Sequence, residues 1–223
     1  MDVLVTGADS DLGRTIAEMF RSAGHHVVVT GRRGDELEVM AKELDVDAIV
    51  CDPTDPVSMA DARPRFPAHL DTVVTVPGSA SSVGDPRTFT IADSAAAWRS
   101  AFDRTVLSAV LTVAAVADNL RSGGSIVTVV ADDSGDDGPN AAVKAALSNW
   151  TAGQADHLGT RGITINSVAC GRTAQANYAG LAVAPSSVPI EIARLALFLA
   201  TPAARHITGQ TLHVGRGAAV SYG

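Results

Sequence analysis

Short runs of apolar and β-branched residues alternate along this chain with longer segments whose apolar residues recur every three or four positions. The short runs predict seven strands and the longer segments predict helices between them. The predicted strands are Val3–Thr6, Val27–Thr30, Ala48–Cys51, Thr72–Val76, Ser125–Val130, Ile163–Val168 and Thr211–Val214. This alternation is typical of a parallel sheet with helices on both faces. It predicts a doubly wound, three-layer α/β fold in which residues 1–223 form a single domain.

The predicted helices are defined by apolar spacing and by the residues that stop them. The first two carry the apolar residues Leu12, Ile16, Met19, Phe20 and Ala23, and then Leu37, Met40, Ala41 and Leu44. Later helices are predicted over Ala95–Asn119, Ala141–His157 and Ile190–Leu199, the last of them stopped by Pro202. Gly and Pro cluster in Pro77–Pro86 and Ala184–Pro189. These clusters predict loops at the carboxyl ends of strands, where such folds bind ligands.

Composition narrows the classes of partner and compartment. The 223 residues are 46% hydrophobic, and the net charge of −7 argues against a nucleic-acid or acidic-membrane partner. The two cysteines, Cys51 and Cys170, lie in apolar strands and are interpreted as reduced core thiols, not as a disulfide or metal site. A first strand at Val3 fits no signal peptide, and the apolar runs are too short to span a membrane. The expectation is a soluble cytoplasmic protein.

One acidic loop, Asp132–Gly138, has the composition of a calcium site but not its spacing. An EF-hand loop requires glycine at its sixth position and glutamate at its twelfth. Counted from Asp132, those positions hold Asp137 and Val143. No metal site is therefore predicted.

The glycine-rich turn after the first strand has the form of a phosphate-binding loop. Gly7 and Gly13 permit a tight turn that places phosphate at a helix N-terminus. Asp11 occupies the place of the middle glycine and Asp9 lies two residues earlier, so two carboxylates lie near the predicted phosphate. Alternatively both aspartates cap the helix and favour its dipole. Nucleotide binding is the favoured interpretation.

Several motifs, in order, resemble those of the short-chain dehydrogenase/reductase family over essentially the whole chain. They are Thr6–Gly13, Cys51–Asp55, Lys144–Leu147, Ile163–Val168, Cys170–Gly171 and Ile207–Val214. The resemblance implies a Rossmann fold and an NAD(P)(H)-dependent oxidoreductase, with Asp52 contacting adenine and Gly171 beside nicotinamide. The cofactor-binding positions that it implies are Gly7, Asp9, Ser10, Leu12, Gly13, Arg32, Arg33, Asp52, Pro53, Pro77, Gly78, Lys144 and Gly171.

The departures from the family pattern fall on its catalytic residues. In the family a tyrosine four residues before a lysine exchanges the proton, and here Asn140 precedes Lys144. The usual serine is replaced by Ala131 and the usual relay asparagine by Thr105. An amide donates a hydrogen bond but cannot act as an acid near neutral pH. The resemblance therefore implies a degenerate catalytic tetrad of which Lys144 is retained.

The end of the second strand bears on the choice of cofactor. Arg32 and Arg33 follow Gly31, with no acidic residue to accept a bond from a ribose 2′-hydroxyl. Two arginines in that place favour the 2′-phosphate of NADP(H) over NAD(H). The alternative is a solvated basic turn ahead of Asp35 and Glu36.

Three hypotheses for function follow, and the sequence ranks them. Tyr178, Tyr222 and Ser134 are candidate replacement acids, but each is better interpreted as an ordinary loop residue. The first-ranked hypothesis is a weakly active or non-catalytic family member, such as a nucleotide-responsive regulator or a silent subunit. The second is an active but atypical oxidoreductase that interconverts a carbonyl and an alcohol. A structural partner that binds no nucleotide ranks third.

The resemblance also implies assembly. The helices over Ala95–Asn119 and Ala141–His157 resemble those of the family's dimer interface, and the terminal segment resembles its tetramer interface. Small residues that would allow close packing there are Ala109, Ala114, Ala145 and Ala146. A homodimer or homotetramer is expected, and pairing with an active relative stays open. The small-molecule substrate is unknown, because specificity would lie in loops Ser79–Asp93 and Ala174–Pro189.

Overall fold

Seven parallel strands form one twisted sheet in the computed structural model, which describes residues 1–78, 88–130, 139–170 (without the Cys170 side chain) and 188–214. The strands are β1 Asp2–Val5, β2 His26–Gly31, β3 Asp47–Val50, β4 Leu70–Thr75, β5 Leu120–Val130, β6 Thr164–Cys170 and β7 Thr211–Val214. Their order across the sheet is β3-β2-β1-β4-β5-β6-β7, and every neighbouring pair is parallel.

Helices connect the strands. They are α1 Asp11–Ser22, α2 Gly34–Leu44, α3 Pro56–Ala62, α4 Ile91–Phe102, α5 Ser108–Val116, α6 Pro139–Gly159 and α7 Val188–Leu199. A π-helical turn over Asp103–Leu107 joins α4 directly to α5. None of the helices in the described ranges is both long and apolar enough to cross a membrane.

The core lies on both faces of the sheet because side chains alternate along each strand. In β1, Val3 and Val5 pack in the cluster that includes α1, α2 and α7, whereas Leu4 packs in the opposite cluster with α3, α5 and α6. Strands buried on both faces, such as β1 and β4, appear in sequence as continuous apolar runs, whereas the edge strands β3 and β7 are only partly buried. The predicted doubly wound α/β fold is confirmed.

Several bounds of the elements differ from the prediction. The helix expected over Ala95–Asn119 begins at Ile91, ends at Val116 and contains the π-helical turn. Its start is set by a capping box between Thr90 and Asp93, which the apolar spacing does not reveal. Strand β5 starts at Leu120, five residues before the predicted start at Ser125.

Helix α3 was not predicted. It has only seven residues and no extended apolar periodicity. Its start is nevertheless typical, because the Asp55 side chain accepts hydrogen bonds from the amides of Val57 and Ser58, and Pro56 occupies the first helical position.

One of the small residues expected at an interface between subunits lies instead inside the protomer. Ala109 is buried, in a cluster with Val106, Val143 and Leu147. Ala114 and Ala145 are exposed, so these two remain available for contacts between helices of different subunits.

Candidate functional site

The strand order reverses between β1 and β4, and this places a crevice at their carboxyl ends. The chain runs outward from β1 through β2 to β3 and then crosses back to β4 on the other side of β1. Ligands of open α/β sheets bind at such a switch point. The two strand ends are held together there by the Thr6 amide donating to the Val74 carbonyl (2.9 Å) and by the Val76 amide donating to Thr6 Oγ1 (3.2 Å).

Gly7 and Gly13 shape the turn that follows β1. Gly7 has a φ of +63°, and a Cβ added to it would lie 2.3 Å from the Val76 carbonyl oxygen. A Cβ on Gly13 would lie 2.2 Å from the Gly7 carbonyl oxygen. Because real Cβ atoms do not approach backbone that closely, only glycine fits either place. The predicted tight turn with closely packed helix start is present.

The N-terminus of α1 points into this crevice. Ser10 is the N-cap, since its Oγ accepts from the Gly13 amide (3.1 Å) and donates to the Gly7 carbonyl (2.7 Å). The amides of Asp11 and Leu12 donate to no acceptor within the described ranges. Free amides at the positive end of a helix dipole bind anions. The predicted positions Ser10, Leu12 and Gly13 therefore form a cradle suited to a pyrophosphate.

Asp9 leaves that cradle and turns towards the end of β2. Its Oδ2 accepts hydrogen bonds from the amides of Arg32 (3.2 Å) and Arg33 (3.3 Å), and the side chain is only 5% exposed. A Cβ on Gly31 would lie 2.8 Å from Asp9 Cγ, so the carboxyl group fills the space that a side chain at position 31 would occupy. The alternative interpretation, in which both aspartates cap α1, is wrong for Asp9. Ser10 is the cap, and Asp11 lies in the first turn.

The Arg33 guanidinium forms ion pairs with two carboxylates. Its Nη1 lies 2.6 Å from Glu36 Oε2, its Nε lies 3.4 Å from Asp9 Oδ2, and its Nη2 donates to the Asp9 carbonyl oxygen. Arg32 is exposed and reaches the other way, with its Nη2 3.6 Å from the place of a Cβ on Gly78. Of the two arginines expected to bind a 2′-phosphate, Arg33 is therefore already paired with carboxylates.

The remaining edge of the crevice is formed by the segments after β3 and β4. Asp52 Oδ1 accepts from the Thr54 amide (2.9 Å) and from Thr54 Oγ1 (2.7 Å), which fixes the turn that also carries Pro53. Pro77 is buried and Gly78 half-buried directly beyond β4. The cofactor positions predicted on these turns thus lie at the same edge of the sheet as the glycine-rich turn.

Cys51 lies beneath this edge as a core residue. It is buried, and burial raises the pKa of its thiol. A neutral buried thiol is a poor nucleophile, so it behaves as a packing residue. Cys170 ends β6, but its side chain is outside the described part of the structure.

The positions that the resemblance implies to be catalytic lie further along the same edge. Asn140 is in the first turn of α6 and Lys144 lies one turn later, so both occupy one face of the helix. Thr105 is buried in the π-helical turn, which packs on α6. Such turns occur frequently at functional sites. Ala131, Gly171 and the candidate acids Ser134, Tyr178 and Tyr222 lie outside the described residues, as does the loop Asp132–Gly138.

One residue that shapes the candidate site was not predicted from the sequence. Gly31 makes room for the Asp9 carboxyl group, and its only sequence signal was a glycine that ends a strand of β-branched residues. Because the partner is 22 positions away, spacing within either segment does not reveal the contact.

A doubly wound parallel sheet with a glycine-rich turn at its switch point defines a Rossmann-type α/β protein. The chain belongs to the short-chain dehydrogenase/reductase family, a family of oxidoreductases. A family model described as enoyl-(acyl carrier protein) reductase matches residues 7–219.

Relatives across the full length support this membership. A Mycobacterium tuberculosis H37Rv protein, named provisionally as an oxidoreductase, is 63% identical over 223 residues and covers 100% of both chains. The 3-oxoacyl-[acyl-carrier-protein] reductase FabG of Escherichia coli K12 is 28% identical over 96% of this chain and 95% of its own. The solved structure of BdcA in complex with NADPH has a TM-score of 0.77 and 25% identity, over 96% of this chain and 92% of that one; BdcA is from Escherichia coli.

Proposed function

We propose that this chain binds a nicotinamide dinucleotide along the carboxyl edge of its sheet and is a weakly active or non-catalytic member of its family, acting as a regulator or silent subunit. The observation that carries the proposal of weak or absent catalysis is Asn140, which lies one helical turn before Lys144, where the family has its acid.

Dinucleotide binding is supported by the crevice itself. Gly7 and Gly13 give the close approach of backbone that a pyrophosphate needs, and the Asp11 and Leu12 amides offer donors at the positive end of α1. Turning Asp9 out of the cradle removes one of the two carboxylates that argued against phosphate. The structural relative BdcA was solved with NADPH bound.

Preference for NADP(H), which the sequence favours, depends on Arg32 and Arg33 together. With Arg33 paired to Asp9 and Glu36, one of these two cations is engaged before any ligand binds. We therefore propose that the crevice binds a nicotinamide dinucleotide, either NAD(H) or NADP(H).

Weak catalysis is supported by the chemistry of the replaced side chain. A bound dinucleotide would supply hydride, which builds negative charge on a carbonyl oxygen that must then be protonated. A positioned general acid contributes a factor of about 10² to 10⁴ to such a step. Asn140 can orient the oxygen through its amide but has no proton to transfer at neutral pH. Lys144 remains on the same face of α6 to contact a ribose or polarise the site.

The second candidate is an active, atypical oxidoreductase. It is favoured by the retained Lys144 and by the 63% identical relative that is named provisionally as an oxidoreductase. In this case water or a loop residue supplies the proton, and the substrate is a carbonyl compound or an alcohol.

Steady-state kinetics with NADH and NADPH on a carbonyl panel that includes 3-oxoacyl thioesters separates the two. We expect turnover far below the common enzyme value of about 10 s⁻¹. Asn140→Tyr should raise kcat by about tenfold or more by restoring the acid. Asn149→Tyr, an exposed position of the same helix, is the matched control and should change nothing. Wild-type rates typical of enzymes that Lys144→Ala abolishes would establish the active oxidoreductase instead.

Assembly and location complete the proposal. Exposed Trp98 and Phe102 on α4, with exposed Ala145 on α6, support a homodimer or homotetramer formed through these helices. Pairing with an active relative is the alternative form of assembly. The reduced, buried Cys51 supports a cytoplasmic location.

A further inference from the structure

We propose that Asp9 selects NAD(H) over NADP(H) by holding its carboxylate where the 2′-substituent of the adenosine ribose binds. This rests on the proposed function, in which a nicotinamide dinucleotide occupies the crevice.

The location of the carboxylate carries the inference. In dinucleotide-binding βαβ units an acidic residue at the end of the second strand, about 20 residues beyond the glycine-rich turn, accepts a hydrogen bond from the 2′-hydroxyl. Here β2 ends at Gly31, which has no side chain, and the carboxyl group of Asp9 fills that volume. The glycine-rich turn thus delivers to the end of β2 the acid that β2 itself lacks.

The carboxylate is held rigidly and with one oxygen to spare. Oδ2 accepts from two successive backbone amides, those of Arg32 and Arg33, and from Arg33 Nε at 3.4 Å, and these three contacts fix its position. Oδ1 accepts no hydrogen bond within the described part of the chain. It can therefore accept from a ribose hydroxyl without losing the bonds that hold Asp9.

The surrounding charge opposes a phosphate at the same place. A cleft of about 390 Å³ between α1 and α2 is lined by four carboxylates and one arginine. These residues are Asp9, Asp11, Asp35, Glu36 and Arg14. Arg14 is paired with Glu43 at 2.6 Å, and Arg33 is paired with Glu36 at 2.6 Å. A 2′-phosphate would meet a nearly buried carboxylate beside these two paired arginines, with the exposed Arg32 as the remaining cation, whereas a hydroxyl meets an acceptor.

Fluorescence or calorimetric titration of the intact protein with NADH and NADPH tests the inference without requiring turnover. We expect NADH to bind about tenfold more tightly than NADPH or better, as for a single added charge-assisted hydrogen bond. Asp9→Asn keeps the shape and can still accept from the two amides, but removes the charge. It should weaken NADH and strengthen NADPH, each by about fivefold, and so abolish or invert the preference. Asp9→Ser, which removes the carboxyl group entirely, should move the ratio in the same direction.

Glu18→Gln is the matched control. It removes one charge from α1, but Glu18 is exposed on that helix and does not line the cleft. We expect it to change both affinities by the same factor and to leave their ratio within about twofold. Circular-dichroism melts of each variant confirm that the fold is retained.

The outcomes separate the two proposals. If neither dinucleotide binds the wild-type protein, the proposed function fails and the role of Asp9 fails with it. If both bind but the wild-type protein prefers NADPH, or if the Asp9 variants leave the ratio where it was, dinucleotide binding stands and the role of Asp9 is refuted.

Discussion

Single atoms decide the form of the glycine-rich turn. Gly7 needs both a positive φ and an absent Cβ, whereas Gly13 needs only the absent Cβ, because its place lies 2.2 Å from the Gly7 carbonyl oxygen. Gly153 of α6 has no atom within 4 Å of an added Cβ. The same substitution should therefore have opposite consequences at two helical glycines.

Gly13→Ala should destabilise the protein by about 3 kcal/mol or more, because the contacted atom belongs to the backbone and cannot move aside cheaply. Gly153→Ala, the control, should stabilise it by about 0.5–1 kcal/mol through helix propensity and a less flexible unfolded chain. Urea unfolding measures both. Equal effects in the two variants would show that the packing around Gly13 is not as tight as described.

The residue scale is also where sequence reasoning was least complete. The tight turn at Gly7 and Gly13 was predicted, because a turn is a local property of the chain, whereas the N-cap is Ser10 and not the two aspartates that the sequence offered. The contacts of Asp9 with Arg32, Arg33 and Gly31 were not predicted, since they depend on how β1 and β2 lie beside each other. Whether Asp9 faces a phosphate or the end of β2 is a question of side-chain direction, which spacing does not contain.

Neighbouring strands are tied together at the amino edge of the sheet by one carboxylate. Asp71 of β4 accepts from the Asp2 amide of β1 (2.8 Å) and from Arg121 Nη1 of β5 (2.9 Å). Burial alone would raise the pKa of Asp71, but the hydrogen bonds from Asp2 and Arg121 outweigh it and hold the pKa below its ordinary value. A depressed pKa in the folded state means that the ionised carboxylate stabilises the fold.

The stabilisation by Asp71 should depend on pH in a definite direction. Asp71→Asn should lower the free energy of unfolding at neutral pH by less than about 1 kcal/mol, because the ion pair is partly solvated. The difference from wild type should be fully present above the ordinary aspartate pKa of about 3.9 and shrink as the pH falls through the lower, folded-state value.

Asp61→Asn on the exposed face of α3 is the control, since Asp61 makes no ion pair with any residue in the described ranges. Urea melts at a series of pH values measure both variants. A difference for Asp71→Asn that stays constant down to acidic pH would contradict the role of its charge.

Helices and strands were predicted where their apolar residues recur periodically, and they were missed where no such pattern is present. All seven strands and the long helices were predicted, because apolar runs and helical spacing extend over many residues. Helix α3 is short, and the π-helical turn at Asp103–Leu107 arises within an otherwise regular helix. One extra residue in a turn shifts the helical face that packs on α6, and no local composition marks it.

At the scale of the whole molecule, apolar side chains remain exposed on the protomer. On α4, Trp98 is 49% and Phe102 is 46% exposed, and α6 beside them exposes Ala145. Clustered exposed aromatic residues commonly mark a protein interface. This agrees with the proposed assembly through the helices around α4 and α6.

Phe102→Ser should shift the assembly to a smaller species, because it removes an exposed aromatic side chain from that surface. Light scattering coupled to gel filtration gives the mass of each species. Val57→Ser is the control, as Val57 is 68% exposed but lies on α3, away from α4 and α6. A wild-type protein that is a clean monomer would overturn the assembly itself.

The sequence by itself determined the fold class, the strand positions, the glycine-rich turn and the spacing that puts Asn140 one helical turn before Lys144. Each of these features depends on residues that are close in the sequence, through periodicity, turn residues or the spacing of two residues on one helix. Only the tertiary structure decided where Asp9 points, that Arg33 is engaged and that Gly31 is left empty to admit a carboxylate. These features depend on how β1, β2 and α2 meet at one edge of the sheet. Hydrogen bonds and ion pairs between side chains of separate segments form only when packing brings those segments into contact.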